Sequence, residues 1–247
     1  MRIIAILLGA LLLSINTLAN DTTPNEPNDS PQTFVFVHGV TGGAWDWKEV
    51  GNLLNAQGHT VYRVTLTGLG ERRHLLNADI NLTTHINDVV NLILFESLNN
   101  VVLVGHSYGG MVITGVMDRI PERLSHVTFL DAAAPDDGMS ASEVWGGKFS
   151  QHKVIDGIVH FDWLDANAPP PKDVPHPIKT LTEKVSYKNP LAKALDVTFV
   201  AFVPPGKTIE QSSAGVSLER AQERRWTVRS FEGGHVIYRK KPAEMAT

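Results

Sequence analysis

Apolar residues fall along the chain in two alternating patterns, short unbroken runs and longer stretches with helical spacing. Thr33 to Val37 (Thr-Phe-Val-Phe-Val) is a β-branched and aromatic run ending at His38-Gly39, which predicts a buried strand. Trp47 to Gln57 carries Val50, Leu53 and Leu54 on one face, with Gly58 as a stop, and predicts a helix. The same two patterns predict strands at Val61–Leu66, Val101–Val104 and Val127–Leu130, and helices at Ile86–Leu98 and Met111–Ile120. Beyond about Pro135 the rhythm stops. Residues 136–190 are rich in Pro, Asp, His and Trp and hold no long periodic run. It resumes with a strand at Val197–Val203, a helix around Val216–Arg225 and a strand at Thr227–Phe231.

Strands alternating with helices in this way imply an α/β fold, with a mostly parallel sheet covered on both faces. About fifty irregular residues inside a compact domain imply a lid rather than a loop. With 247 residues, the chain from 33 onward fits one large domain. The net charge of −4 comes without a basic stripe, which removes nucleic acid from the partners to consider. Cysteine is absent, so neither a disulfide nor a lipoprotein anchor is available.

The N-terminal segment carries its own signal. Arg2 precedes an apolar run from Ile3 to Ile15, and Thr17-Leu18-Ala19 supplies small residues for cleavage. Residues 1–19 therefore read as a signal peptide, too short in its apolar part for a bilayer span. The expected location is outside the cytoplasm, periplasmic or secreted, with no stable membrane insertion after cleavage. Residues 20–32, mostly Asn, Asp, Thr and Pro, read as a disordered lead-in. At the other end the given sequence stops at Thr247, soon after Lys241, so the closing helix is either short or truncated.

The most informative segment is Val101-Val-Leu-Val-Gly105-His106-Ser107-Tyr108-Gly109-Gly110. It is G-x-S-x-G between an apolar strand and an apolar helix, the context in which that spacing marks a nucleophile elbow. A sharp strained turn lifts the Ser107 hydroxyl to the helix N-terminus, where developing negative charge is favoured. A serine needs a base, and the chain offers ten histidines. His235, the last of them, follows the final strand at Phe231-Glu-Gly-Gly-His235, matching the chain order serine, acid, histidine. The N–H groups of Val40, after the first strand, and of Tyr108 are the expected oxyanion donors. His38 suits a structural bond holding that loop. No residue cluster has metal-ligand spacing, no phosphate loop is present, and acyl transfer of this kind needs no cofactor.

Several strings resemble a known family. Phe36-Val-His-Gly-Val-Thr-Gly-Gly-Ala-Trp45 is similar to the oxyanion segment of the plant methylesterase and hydroxynitrile lyase family and its bacterial esterase relatives. So are Thr65-Leu-Thr-Gly-Leu-Gly-Glu-Arg72 with His74-Leu75, Val101 to Val116, Phe129-Leu-Asp-Ala132 and Pro175-His-Pro177. The resemblance implies the α/β-hydrolase fold, with a small cap between the sixth and seventh strands at about 136–190. It also implies a choice between esterase and lyase. Lyases of this type carry a threonine and a lysine where this chain has Gly39 and Val236, so the esterase reading is preferred. Plant members place their catalytic aspartate after the seventh strand, where this chain reads Phe202-Val-Pro-Pro-Gly-Lys-Thr-Ile209 without an acid. Asp131, ending the sixth strand, is the preferred replacement, with Glu210, Asp136 and Asp137 as the alternatives.

The expectation is thus a serine hydrolase cleaving a small carboxylic ester through Ser107, His235 and Asp131. A hydroxynitrile-type lyase and a ligand receptor with little turnover are the rivals, since a fold alone does not specify chemistry. Glu71, Arg72 and His74 suit either a pinned loop or a substrate contact. Trp145, His160, Phe161, Trp163 and His176 suit either a cap pocket or the cap's own core.

Overall fold

Residues 30–247 are described by a computed structural model; the expected signal peptide and most of the expected lead-in lie outside the described residues. The strands β1 (Thr33–Val37), β2 (Thr60–Val64), β3 (Val101–His106) and β4 (Leu124–Leu130) form where the β-branched runs predict them. Three long helices accompany them, α1 (Lys48–Ala56), α2 (Leu82–Phe95) and α3 (Gly109–Arg119). The helix expected at Ile86–Leu98 begins four residues earlier. Asn81 accepts the Thr84 N–H at 2.9 Å while Thr84 Oγ1 accepts the Asn81 N–H at 3.4 Å, a capping box that starts the helix before its apolar stripe does.

Between β4 and the next sheet strand, the chain leaves the sheet. It forms three four-residue helices, α4 (Ala141–Val144), α5 (Lys179–Thr182) and α6 (Pro190–Lys193), and a small antiparallel sheet of β5 (Lys153–Ile155), β6 (Ile158–His160) and β7 (His176–Pro177). The chain then returns as β8 (Val197–Val203), α7 (Val216–Glu223), β9 (Thr227–Glu232) and the short α8 (Pro242–Met245).

The main sheet has the order β2-β1-β3-β4-β8-β9, with every pair parallel. Alternate side chains of each strand therefore enter two different cores. Val35, Leu103, Phe129 and Phe199 pack with Leu82, Val89 and Ile93 of α2 and Val112 and Val116 of α3. Phe36, Val102, Val104 and Phe202 pack with Trp47, Val50 and Leu54 on the opposite face, joined by Tyr238 and Ala246. Because all the strands are parallel, their C-terminal ends share one edge. Loops at that edge converge, which is where sheets of this type carry their sites.

Four buried histidines pin that edge. The His38 Nε2 accepts the Leu66 N–H at 3.1 Å, so its Nδ1–H donates to the Gly39 carbonyl at 2.7 Å. His85 bridges the Thr67 carbonyl and the Tyr108 hydroxyl, each at 3.0 Å. His106 reaches the His235 carbonyl at 2.8 Å, and His176 lies between Thr41 and Thr180. Burial lowers His38 and His85 from their ordinary 6.5 to about 4, and lowers His106 and His176 in the same direction.

These imidazoles stay neutral in the folded chain while the unfolded chain takes up protons first. The stability they hold is complete above about pH 6.5 and is lost as pH falls toward 4. His38 and His85 should each cost about 2 kcal/mol of folding stability between pH 7 and pH 5. Urea unfolding at the two pH values checks this. His38→Gln and His85→Gln variants should flatten the pH dependence.

Candidate active site

The elbow forms because its glycines admit contacts no side chain would allow. A Cβ at Gly105 would meet the Ile113 side chain at 2.7 Å and the Gly109 carbonyl at 2.9 Å. One at Gly109 would meet the Val37 and His38 carbonyls at 2.8 and 2.9 Å. With α3 pressed so closely onto β1 and β3, Ser107 is held at φ +55°, in the left-handed region. Its backbone is anchored from both sides, donating to the Leu130 carbonyl and accepting the Gly110 and Ala133 N–H groups at 3.1 and 2.9 Å.

From that perch the Ser107 Oγ lies 2.9 Å from His235 Nε2. His235 Nδ1 lies 2.6 Å from Asp131 Oδ2. The carboxylate fixes the ring's tautomer: Nδ1–H donates to Asp131, leaving Nε2 to accept a hydrogen bond from the Ser107 hydroxyl. Asp131 sits directly after β4 at φ +43°, its N–H bonded to the Val200 carbonyl at 2.7 Å. Its carboxylate is almost wholly buried, with side-chain exposure of 1% against 48% for His235. Three donors serve it: His235, the Ser213 hydroxyl at 3.1 Å and the Phe202 N–H at 3.3 Å.

Of the four candidate acids, only Asp131 meets His235. Asp136 is paired with Arg220 and Arg224 at 2.9 and 2.6 Å. Asp137 accepts the Tyr187 N–H at 2.9 Å, and Glu210 stands exposed in the Ile209–Gln211 turn. Val40 lines the same cavity as Ser107, and Tyr108 is the residue after the serine. Because His38 holds the Gly39 carbonyl, the planar peptide points the Val40 N–H the opposite way.

A cavity of about 340 Å³ opens at Ser107, lined by Val40, Thr41, Trp163, Asp173, His235 and Arg239 among others. On the other side of His235 lies a smaller one of about 230 Å³, bordered by Trp145, Ser213, Ala214 and Ser217. The far end of the larger cavity is charged but internally matched. Arg239 donates to Asp46 at 2.6 Å and to Asp173 at 3.4 Å, and stacks over the Trp45 ring at 4.5 Å. Burial raises the Asp46 carboxyl to about 6, with the Arg239 guanidinium pulling the other way.

Of the remaining residues singled out in the sequence, Trp145 and Trp163 line these cavities while Phe161 and His176 are buried in the cap. Arg72 holds its loop by bonding the Thr65 carbonyl at 2.9 Å, with Asp88 at 3.5 Å. Its carboxylate partner is thus Asp88 rather than the neighbouring Glu71. Among the described residues no cluster of three or more His, Cys, Asp or Glu is arranged to hold a metal. His106 pins the backbone of His235, and Ser213 bonds Asp131; both lie in segments whose pattern records only strand and loop.

Comparison with known proteins points the same way. The family model described as the alpha/beta hydrolase family matches residues 34–246. A carbendazim hydrolyzing esterase from Nocardioides sp. (strain SG-4G) is 48% identical over 107 residues, 43% of this chain and 44% of that one. Methylesterase 8 of Arabidopsis thaliana is 34% identical over 142 residues, covering 56% and 49%. The chain thus spans about half the length of these curated relatives or less. An extracellular alpha/beta-hydrolase from a Paenibacillus species, described as sharing structural and functional homology with tobacco salicylic acid binding protein 2, superposes with a TM-score of 0.70. It is 26% identical and covers 87% of this chain and 96% of that one. A pyrethroid hydrolase at 14% identity and TM-score 0.69 shares the fold. A parallel sheet delivering a strained serine beside a histidine, matched by one family model across nearly all of residues 30–247, makes this chain a member of the alpha/beta hydrolase family.

Proposed function

We propose that this protein is a serine hydrolase that cleaves small carboxylic esters through an acyl-enzyme. The observation that carries the reading is the unbroken hydrogen-bond chain from Ser107 through His235 to the buried Asp131. In the first step His235 Nε2 takes the Ser107 proton as Oγ attacks the ester carbonyl. The N–H groups of Val40 and Tyr108, the latter at the start of α3, receive the oxyanion. Asp131 stabilises the imidazolium without taking its proton. His235 then protonates the leaving alcohol, and a water molecule repeats the sequence on the acyl-serine.

The names of the relatives narrow the substrate. A carbendazim hydrolyzing esterase and a plant methylesterase support a small ester with a short alcohol. The lyase reading loses ground on geometry. A Cβ at Gly39 would lie 3.0 Å from Ser107 Cβ, so a threonine there would crowd the serine. Val236 lines the cavity without an ammonium group, and Arg239 is already paired with two carboxylates. The extracellular description of the Paenibacillus neighbour and the signal-like residues 1–19 together support export.

A fluorophosphonate should label Ser107 in the folded protein and abolish turnover of methyl and p-nitrophenyl esters. Ser107→Ala should lower kcat by about 10⁴-fold or more. Turnover surviving in that variant would end the hydrolytic reading. Asp131→Asn should lower kcat by about 10²- to 10⁴-fold with little change in KM, because the wrong tautomer is then favoured. Glu210→Gln should leave both constants unchanged.

A further inference from the structure

Among the described residues, Thr41 is the only β-branched residue held at positive φ. It sits at φ +65°, and it is 2% exposed, one residue beyond the expected oxyanion donor. Such a conformation persists only where its surroundings hold it. Here three hydrogen bonds do so, all from one stretch of the cap between Asp173 and His176. The Val174 N–H donates to the Thr41 carbonyl at 2.9 Å. The Thr41 hydroxyl donates to Asp173 Oδ1 at 3.1 Å. The Thr41 N–H donates to His176 Nδ1 at 3.3 Å.

The tautomer of His176 follows from its partners. Nδ1 accepts from Thr41, so Nε2–H donates to Thr180 Oγ1 at 2.8 Å, and the Thr180 hydroxyl in turn donates to the Pro177 carbonyl at 2.7 Å. The ring is fully buried, and each nitrogen has one partner suited to its role. On the other side, His38 holds the Gly39 carbonyl and the Gly42 N–H holds the Val40 carbonyl at 2.8 Å. Both peptide planes flanking Val40 are therefore pinned, one from the sheet side by His38 and one from the cap side by His176. With its two neighbours fixed, Val40 has no remaining freedom to turn its N–H.

We propose that His176 and Asp173 are positioning residues through which the cap aims the Val40 N–H at the oxyanion. The inference rests on the reading of Val40 as an oxyanion donor given above. Loss of the cap-side bonds should weaken binding of the tetrahedral species while leaving ground-state binding of the ester nearly alone, since only the former places full charge at that amide.

The test compares three variants of the full chain for kcat, KM and affinity for a trifluoromethyl ketone, which forms a tetrahedral adduct on the serine. His176→Leu removes the acceptor. His176→Asn keeps an oxygen acceptor near the place of Nδ1. Thr41→Val removes only the hydroxyl bond to Asp173. His176→Leu should lower kcat about tenfold, weaken the ketone by a similar factor and leave KM within about twofold. His176→Asn should recover most of both losses, and Thr41→Val should show a smaller fall in the same two quantities.

The proposal is overturned if His176→Leu and Thr41→Val, both unfolding cooperatively, keep kcat and ketone affinity within about twofold of the parent. It is equally overturned if the loss lies in KM alone, or if His176→Asn is no better than His176→Leu. Should His176→Leu fail to fold, His176→Asn and Thr41→Val decide by the same two quantities. Ser107→Ala separates this result from the underlying reading. Turnover lost there but intact in the Thr41 and His176 variants removes the cap's role and leaves the hydrolase.

Discussion

The bond between Asp131 and His235 constrains everything around it. At 2.6 Å, with the carboxylate buried and the imidazole half exposed, it sets which ring nitrogen faces Ser107. A buried carboxylate is costly unless donors meet it, and here a ring N–H, a hydroxyl and a backbone amide do so. Those donors come from the segments after β9 and β8 and from β8 itself, while the carboxylate comes from the end of β4. The bond can therefore exist only when the whole right half of the sheet is assembled in register. His106 adds a second tie, holding the backbone of His235 from the strand that carries the serine.

The same edge gathers backbone strain. Ser107, Asp131 and Thr41 all occupy the left-handed region, and none is glycine. Each is offset by bonds from at least one neighbouring segment: Leu130 and Ala133 for the serine, Val200 for the aspartate, and the cap stretch from Asp173 to His176 for the threonine. Strain of this kind gives a site its directional precision, because the side chains and amides have no relaxed alternative nearby.

The neutral histidines belong to the same design. A buried imidazole with one donor and one acceptor nitrogen can bridge two loops without a charge to solvate, which neither a carboxylate nor an ammonium group does. His38, His85, His106 and His176 all work in that way, and each ties together residues distant in sequence. The consequence is a site edge that is rigid at neutral pH and weakens in acid.

Local pattern determined much of this protein. The short β-branched and aromatic runs at 33–37, 101–104 and 197–203 predict buried strands, and the glycines two residues either side of Ser107 predict a tight turn before a helix. His235 follows from the need for a base late in the chain, whereas Asp131 follows only from the resemblance, since the place where the plant methylesterases carry their aspartate holds no acid here. The start of α2 lies ahead of its apolar stripe because a capping box, not the stripe, begins it. What local pattern does not carry is distance between segments far apart in the chain. Whether Asp131, Asp136, Asp137 or Glu210 meets His235 depends on how β8 and its following loop pack beside β4, which only the tertiary structure decided. The bonds from Ser213 to Asp131, from His106 to His235 and from His176 to Thr41 join residues 82, 129 and 135 positions apart, and no periodicity within a strand or helix reports on contacts of that length.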